Sequence, residues 1–307
     1  MSSSDTRDSV ATVSENPQPN MLFTTVPAVF ARLAVLERHQ DQDQQDHQDA
    51  LTIGQISPSE FRALVTARDR RRPKLRLFYE PASACAVITV PSTPHNKMHF
   101  GLYKQILYSI RDMGLDDEWT TCLDDTFYGE DGSSGQADSG GSPIAHWGGG
   151  TGNNWPTLVI EAGVTQMFPS LRAKMVWWFA ASSHRVKIVI LMKLQLGQEA
   201  IDIEQWTETL TTRQGAMTRS MARAGQSSGL QPDCRQTISI TWAGPQAVLS
   251  IPSQDRTPQH FRVSGGPLVI NFEDLFLRPP DVSHGERDLV VPDDTLQDVA
   301  TMVWRFV

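Results

Sequence analysis

Residues 155–193 constrain the fold more than any other part of the chain. Residues 157–160 form a short apolar run rich in β-branched side chains, which predicts a strand. Pro169 then opens a segment with apolar residues at helical spacing, and residues 186–194 give a second apolar strand. Two strands joined by one helix favour a βαβ crossover, in which the strands are parallel and buried.

The first of these predicted strands ends on a carboxylate, Glu161. Ala162 and Gly163 follow it and allow the chain to turn away. A carboxylate at the end of a buried strand is unfavourable unless a cation or a metal compensates its charge. Glu161 is therefore the residue that most needs a chemical explanation.

A second acidic residue, Asp138, lies upstream across a stretch rich in glycine and serine. The two carboxylates can end adjacent strands and face each other, an arrangement that binds a hard divalent cation such as Mg²⁺ or Mn²⁺. Such an ion polarises a phosphate oxygen and lowers the pKa of the attacking water. In the alternative interpretation, Asp138 caps a turn and Glu161 pairs with a lysine.

The order of these elements along the chain resembles the PD-(D/E)xK restriction-endonuclease-like superfamily. A predicted hairpin and helix precede a strand with Asp138-Ser139, and the strand Trp-Pro-Thr-Leu-Val-Ile-Glu comes next. A helix with two adjacent tryptophans and the strand Val-Lys-Ile-Val-Ile complete the pattern. The resemblance is to a fungal-type branch of largely uncharacterised members, and it covers about residues 60–280.

In that superfamily an aspartate and a glutamate bind the metal, and a lysine orients the attacking water or steadies the phosphate. The resemblance implies that Asp138 and Glu161 are catalytic and hold Mg²⁺ or Mn²⁺. Two positions depart from the pattern. Ala137 stands where the proline before the aspartate is usual, and Gly163 stands where the lysine is expected.

Another basic residue can take the place of that lysine, since some branches of the superfamily supply the cation from the following helix. The resemblance thus implies a catalytic role for Lys174 on the crossover helix, with Arg172 and Lys187 as alternatives. Gln166 lies where such nucleases often place a polar helper after the acidic strand.

Two histidines, His95 and His99, lie four positions apart and share one face of a predicted helix. This spacing can ligate zinc, but no glutamate follows the first histidine as the zincin motif requires. One interpretation places a histidine at the helix start in contact with the acidic site. The other treats both as ordinary surface or capping residues.

These observations give two main functional hypotheses. The first is a metal-dependent phosphodiester hydrolase, a nuclease-like enzyme that uses Asp138 and Glu161 to hold Mg²⁺. The second is a catalytically inactive nuclease-fold protein that serves as a binding or scaffold module, which Gly163 and Ala137 favour. A third, a small-molecule hydrolase on an unrelated α/β fold, requires a pocket elsewhere.

Charge and composition bear on the partners. The net charge of −8 argues against a broadly basic surface that coats nucleic acid. Residues 68–76 are nonetheless strongly basic, and either form a solvated cluster, contact phosphates or act as a nuclear signal. Nucleic acid is therefore one expected partner, and a homodimer formed through the last strands and helix is another hypothesis.

The cellular location follows from what the sequence lacks. No apolar run of about eighteen residues is present, so no membrane partner is expected. The N-terminus lacks the pattern of a signal peptide. The 3 cysteines are far apart and are interpreted as free thiols, which predicts an intracellular protein, cytoplasmic or nuclear.

The chain divides into three parts by composition. Residues 1–56 are predicted to be a disordered, low-complexity segment with one helix. Residues 57–280 are predicted to form the nuclease-like domain, with a mobile insertion near 213–235, and residues 281–307 a helical extension packed on it. The predicted fold class is α/β or α+β, with a mixed central sheet, a βαβ core and helices on both faces.

Overall fold

The computed structural model describes residues 19–40, 49–71, 74–122, 125–147, 154–210, 229–243 and 256–307. The helices are α1 Val26–Gln40, α2 Pro58–Arg71, α3 Thr93–Asp112, α4 Phe168–Ala181, α5 Phe272–Phe276 and α6 Asp293–Trp304. The strands are β1 Met21–Leu22, β2 Ala50–Gly54, β3 Arg76–Glu80, β4 Cys85–Thr89, β5 Trp119–Thr121, β6 Phe127–Tyr128, β7 Ser134–Gly135, β8 Ser139–Pro143, β9 Leu158–Gly163, β10 Ile188–Gln195, β11 Ala200–Leu210, β12 Leu230–Trp242, β13 Phe261–Ser264, β14 Leu268–Ile270 and β15 Leu289–Val291.

The predicted crossover around Glu161 is confirmed. Strands β9 and β10 pair in parallel, with Ile160 beside Ile190, and α4 connects them. One detail of the prediction was wrong, because Glu161 does not end its strand. Ala162 and Gly163 continue to pair with β10, so the carboxylate lies inside the sheet rather than at its edge.

The central sheet has seven strands in the order β13-β12-β11-β10-β9-β8-β5. Only β9 and β10 are parallel, and the other neighbours are antiparallel, so the sheet is mixed. Seven of the eight residues of β10 are buried, because helices cover both faces of the sheet there. These features confirm the predicted fold class.

Alternating side chains on β9 and β10 supply two separate cores. Ile160 and Ile190 face a layer that contains α3 and α6, whereas Val159 and Leu191 face α4. This alternation directs Glu161 toward α4, because it lies two residues after Val159 on the same strand. The position of the acidic residue relative to the crossover helix thus follows from the strand period.

A second sheet of six strands, in the order β1-β2-β4-β3-β7-β6, packs against α1 and α2. Its centre is the predicted hairpin, β3 and β4, which pair antiparallel. Strand β2 lies inside this sheet, and α1 contributes Val29 and Leu33 to its core. The one helix predicted within residues 1–56 is present as α1, whereas β2 contradicts a low-complexity segment that continues through residue 56. Residues 1–18 and 41–48 lie outside the described residues.

Two further boundaries differ from the expectation. The predicted mobile insertion near 213–235 overlaps β12, which begins at Leu230 and pairs with β11 along its length. Residues 211–228 lie outside the described residues. The C-terminal extension contains β15 as well as α6, and α6 shares a core with α3 through Leu296, Val303 and Trp304.

Helix α3 presents both histidines to the centre of the molecule. Ser92 caps its N-terminus and accepts a hydrogen bond from the backbone N–H of His95. Its apolar residues recur every three or four positions, so one face packs on the central sheet. Among the helices of the described residues, none has the length and apolar character that a membrane-spanning segment requires.

The central strand β10 should dominate the stability of the domain. Replacing Ile190 by alanine creates a cavity between α3 and the sheet, and we expect a loss of about 2–5 kcal/mol in the free energy of unfolding, measured by urea denaturation. The matched control is Ile144→Ala, because Ile144 is 48% exposed. That change should stay within about 0.5 kcal/mol. Equal effects of the two substitutions would contradict the assignment of the core.

Candidate functional site

The pairing of β8 with β9 brings the two predicted acidic residues together. Ser139 pairs with Ile160 and Gly140 with Val159, in antiparallel register. Continuing this register by one residue places Asp138 opposite Glu161, where Cβ atoms are typically about 4.5–5.5 Å apart. The backbone N–H of Ala162 donates to Oδ2 of Asp138 across a distance of 2.8 Å. The two residues are only 2% and 1% exposed.

The nearest cation to Glu161 comes from the crossover helix. Nζ of Lys174 donates to Oε2 of Glu161 at 3.0 Å, and Nε1 of Trp178 donates to Oε1 at 2.9 Å. Lys174 and Trp178 lie one helical turn apart, so one face of α4 supplies both donors. Both oxygens of the Glu161 carboxylate therefore have a partner from the protein.

The charges of this buried pair influence each other. Burial disfavours the ammonium of Lys174, yet the carboxylates of Glu161 and Asp138 raise the pKa of Lys174 above its ordinary value. Burial raises the pKa of the Glu161 carboxyl, against the opposing effect of Lys174. Lys174 therefore remains charged, and its ammonium is the main group that opposes the protonation of Glu161 that burial favours.

A side chain at position 163 would be crowded. A Cβ atom on Gly163 would lie 3.1 Å from both Cβ and the backbone oxygen of Gln166. Lys193 pairs with Gly163 on the neighbouring strand, but its ammonium donates to the backbone oxygen of Val164. Burial lowers the pKa of Lys193. Lys174 on α4, rather than Lys193 on β10, is the lysine that contacts Glu161.

A buried histidine links Asp138 to a third carboxylate. Nε2 of His95 lies 3.2 Å from Oδ1 of Asp138, and Nδ1 lies 3.4 Å from Oδ2 of Asp49. Neither contact has the directionality of a good hydrogen bond, so attraction between charges is the main interaction. Burial disfavours the imidazolium, but the charges of Asp138 and Asp49 raise the pKa of His95 to about 10.

The two aspartates respond to the same imidazolium. Burial alone would raise the pKa of each carboxyl. The charge of His95, with hydrogen bonds from Thr165 and Val164, instead lowers the pKa of Asp49 to about 2. His95 also holds the pKa of Asp138 well below its usual range. His95 is therefore a buried cation between two carboxylates.

Asp49 also binds the loop that follows β9. Its Oδ2 accepts from the backbone N–H of Val164 at 2.6 Å, and its Oδ1 accepts from the N–H of Thr165 at 2.9 Å and from the Thr165 hydroxyl at 2.7 Å. The N–H of Gln166 makes a longer contact of 3.3 Å. Asp49 is absent from the predicted site because it lies within residues 1–56, which the composition predicts to be a low-complexity segment. The one available signal was the apolar strand that begins directly after it.

The remaining predicted site residues bind elsewhere. Nε of Arg172 donates to Glu204 on β11 at 3.0 Å, and Nζ of Lys187 donates to the backbone oxygen of His184 at 2.7 Å. Gln166 is buried beside the site and donates to Ser170, while its Oε1 atom has no partner among the described residues. Of the three basic candidates, Lys174 is the one that contacts an acidic residue of the site.

The second histidine of α3 has a different role. Nδ1 of His99 lies 2.8 Å from the hydroxyl of Ser139, the residue after Asp138. Burial lowers the pKa of His99 to about 4, so the ring is neutral near neutral pH. Within the described part of the chain, no three histidine, cysteine or acidic residues form a group that could hold a metal ion. The spacing of His95 and His99 therefore does not produce a zinc site there.

The acidic pair does not fit hydrated Mg²⁺ in this arrangement. That ion requires about six oxygen ligands and usually keeps several waters. Each carboxylate oxygen of Asp138 and Glu161 already faces a protein donor: His95, the N–H of Ala162, Lys174 or Trp178. The donors and the carboxylates are all buried. Two cations of the protein thus occupy the space beside the carboxylates.

No family model and no curated protein matches the chain. Among solved structures, it is similar to a protein of family DUF820 from Anabaena variabilis that is described as a candidate nuclease. The TM-score is 0.34 at 13% identity, over 48% of this chain and 78% of the other. A TM-score this low does not establish a common fold.

Removing the ammonium should expose the dependence of Glu161 on Lys174. We expect Lys174→Met to lower the free energy of unfolding by about 3–5 kcal/mol at neutral pH, because it leaves a buried carboxylate unpaired. The loss should shrink at lower pH, where Glu161 takes up a proton, and Glu161→Gln should recover part of it in the double variant. Lys187→Met is the control and should change stability by about 1 kcal/mol or less. A large loss that Glu161→Gln does not relieve would contradict the pairing.

The two histidines should give opposite dependences of stability on pH. The pKa of His95 rises from 6.5 to about 10 on folding, so its contribution is complete below pH 6.5 and is lost as the pH rises through about 10. The pKa of His99 falls from 6.5 to about 4, so wild type gains stability as the pH rises between those values. Urea denaturation between about pH 4 and pH 10 measures the free energy of unfolding of wild type, His95→Gln and His99→Gln, and so the contribution of each histidine at each pH. A stability difference for His95→Gln that is constant from pH 6 to 10 would contradict the charged state of His95.

Proposed function

We propose that the chain is a restriction-endonuclease-like domain that does not cleave phosphodiesters and acts as a binding or scaffold module. The order hairpin, helix, β8, β9, α4 and β10 supports the relationship to that superfamily. The observation that carries the proposal is the closure of Glu161 by Lys174 and Trp178, with 1% of the residue exposed. A phosphodiester cannot reach a carboxylate that is enclosed by its own helix.

The charge balance supports the same proposal. His95 and Lys174 are cations held against Asp49, Asp138 and Glu161, so the carboxylates are largely neutralised without an added ion. A metal would have to displace the ammonium of Lys174 or the imidazolium of His95. Displacing either leaves a buried cation without its partner, which is strongly unfavourable.

A metal-dependent phosphodiester hydrolase is the second candidate function. Its support is the register that sets Asp138 opposite Glu161, together with the contact between Lys174 and Glu161. In that case Asp138 and Glu161 would hold Mg²⁺ or Mn²⁺, and nucleic acid would be the substrate. Gln166, Arg172 and Lys187 would act only after rearrangement, since each binds another group.

Metal-dependent stability separates the two functions. We expect no change in the thermal midpoint of chelator-treated wild type on addition of Mg²⁺ or Mn²⁺. A metal at 100 times its Kd would instead stabilise the fold by about 2.7 kcal/mol. Lys174→Met should gain metal-dependent stabilisation, because it frees the carboxylates of Asp138 and Glu161 from the competing ammonium.

The matching activity assay uses duplex DNA, single-stranded DNA and RNA with either metal. We expect wild type and Glu161→Gln to behave alike in this assay, with no cleavage that depends on Glu161. Metal stabilisation of the wild type that is lost in Glu161→Gln, or cleavage that depends on Glu161, would reject the closed-site proposal in favour of the hydrolase.

A further inference from the structure

Helix α4 exposes an apolar strip on its outer face. The inner face carries Lys174 and Trp178 toward Glu161. The outer face carries Ala173, Val176 and Ala180, and Val176 is 38% exposed. Exposed apolar strips of this kind are common where a partner binds. The outer face therefore has the character of a surface that a partner covers.

This outer face is the floor of a groove of about 360 Å³. The floor consists of small and apolar side chains from α4: Ala173, Val176, Trp177, Ala180 and Ala181. Acidic residues form the rim, with Glu80 at the end of β3 and Glu130 and Asp131 in the turn after β6. Among the described residues that line the groove, none is basic.

Hydrogen bonds hold two of the rim carboxylates in position. The hydroxyl of Ser83 donates to Glu80 at 2.6 Å, and the hydroxyl of Ser133 donates to Asp131. Both donors are neutral, so neither cancels the charge of its carboxylate. The groove thus combines an apolar floor with a negative rim whose geometry is partly preorganised.

We infer that this groove binds a basic amphipathic peptide segment of a partner protein. The apolar side of such a segment would cover Val176 and the alanines, as in the recognition of amphipathic helices by apolar grooves. Its lysines or arginines would face Glu80, Glu130 and Asp131. Nucleic acid is the wrong partner for this face, because its phosphates would meet three carboxylates.

This inference extends the proposed function, because it gives the binding module a class of partner. It uses none of the residues that surround Asp138 and Glu161. The groove and the acidic site share α4, but Val176 and Ala180, the exposed groove residues of α4, lie on the side of the helix away from Lys174 and Trp178. Each can therefore be tested without changing the other.

A labelled peptide tests the groove directly. The probe is a synthetic helix of about 14 residues, the length of α4, with lysines on one face and leucines on the other. Its binding to the full chain is followed by fluorescence anisotropy, beside a counterpart peptide with glutamate at every lysine position. We expect the lysine peptide to bind and the glutamate peptide not to bind.

Substitutions locate the binding. We expect Val176→Lys and Glu130→Lys each to lower the affinity for the lysine peptide by about tenfold or more, because losing one central interface contact typically has an effect of this magnitude. The controls make the same charge change elsewhere: Val290→Lys on β15, where Val290 is 48% exposed, and Glu37→Lys on α1. Both controls should bind like wild type. Thermal unfolding of the same samples checks that each variant folds.

Three results would overturn the inference. The first is that the lysine peptide does not bind wild type. The second is that Val176→Lys and Val290→Lys weaken the affinity for the lysine peptide equally, which would indicate nonspecific attraction to a protein with a net charge of −8. The third is a wild-type dimer that Val176→Lys converts to a monomer, since a second copy would then cover the groove. If wild type binds neither the lysine peptide nor a metal, the groove inference is rejected and the closed-site proposal stands.

If a metal stabilises wild type and the lysine peptide also binds, the closed-site proposal is rejected and the groove inference stands.

Discussion

The contact of Lys174 with Glu161 is the interaction on which the centre of the molecule depends. Glu161 lies within β9, a strand whose residues are all buried, where an ionised carboxylate without a partner would be strongly destabilising. The ammonium comes from the helix that connects β9 to β10, so the crossover carries its own compensating charge. The same helix brings Trp178 to the second carboxylate oxygen. The βαβ unit therefore forms the structural core and also supplies the cation that compensates the buried carboxylate of Glu161.

Much of this centre could be predicted from the sequence, because it depends on local periodicity. The apolar runs and the helical spacing between them predicted β9, α4 and β10, and the resemblance paired Asp138 with Glu161 as two acidic residues of one site. The strand period also explains which face Glu161 occupies. The predicted end of β9 is two residues too early, because Gly163 favours a turn in isolation, whereas Ala162 and Gly163 both pair with β10 in the sheet.

The parts that could not be predicted depend on contacts between distant segments. Asp49 binds residues 164–166 and His95, and no local pattern connects these three places. The acidic run before Asp49 resembles a solvated linker, so its last residue carried no distinguishing signal. Arg172 and Lys174 are equally basic in the sequence. Only the rotation of α4 against β9 and β11 decides that Lys174 turns inward and Arg172 pairs with Glu204.

The position of Asp49 has a consequence for how the chain can be divided. Composition alone would start the folded domain near residue 57, after the low-complexity run. A chain that begins at residue 57 would lack α1 and also β1 and β2, the two strands at one edge of the six-stranded sheet. It would also leave the imidazolium of His95 with one carboxylate in place of two, and the N–H groups of Val164 and Thr165 without their acceptor. The boundary that looks safest in the sequence therefore passes through the charge network at the centre of the protein.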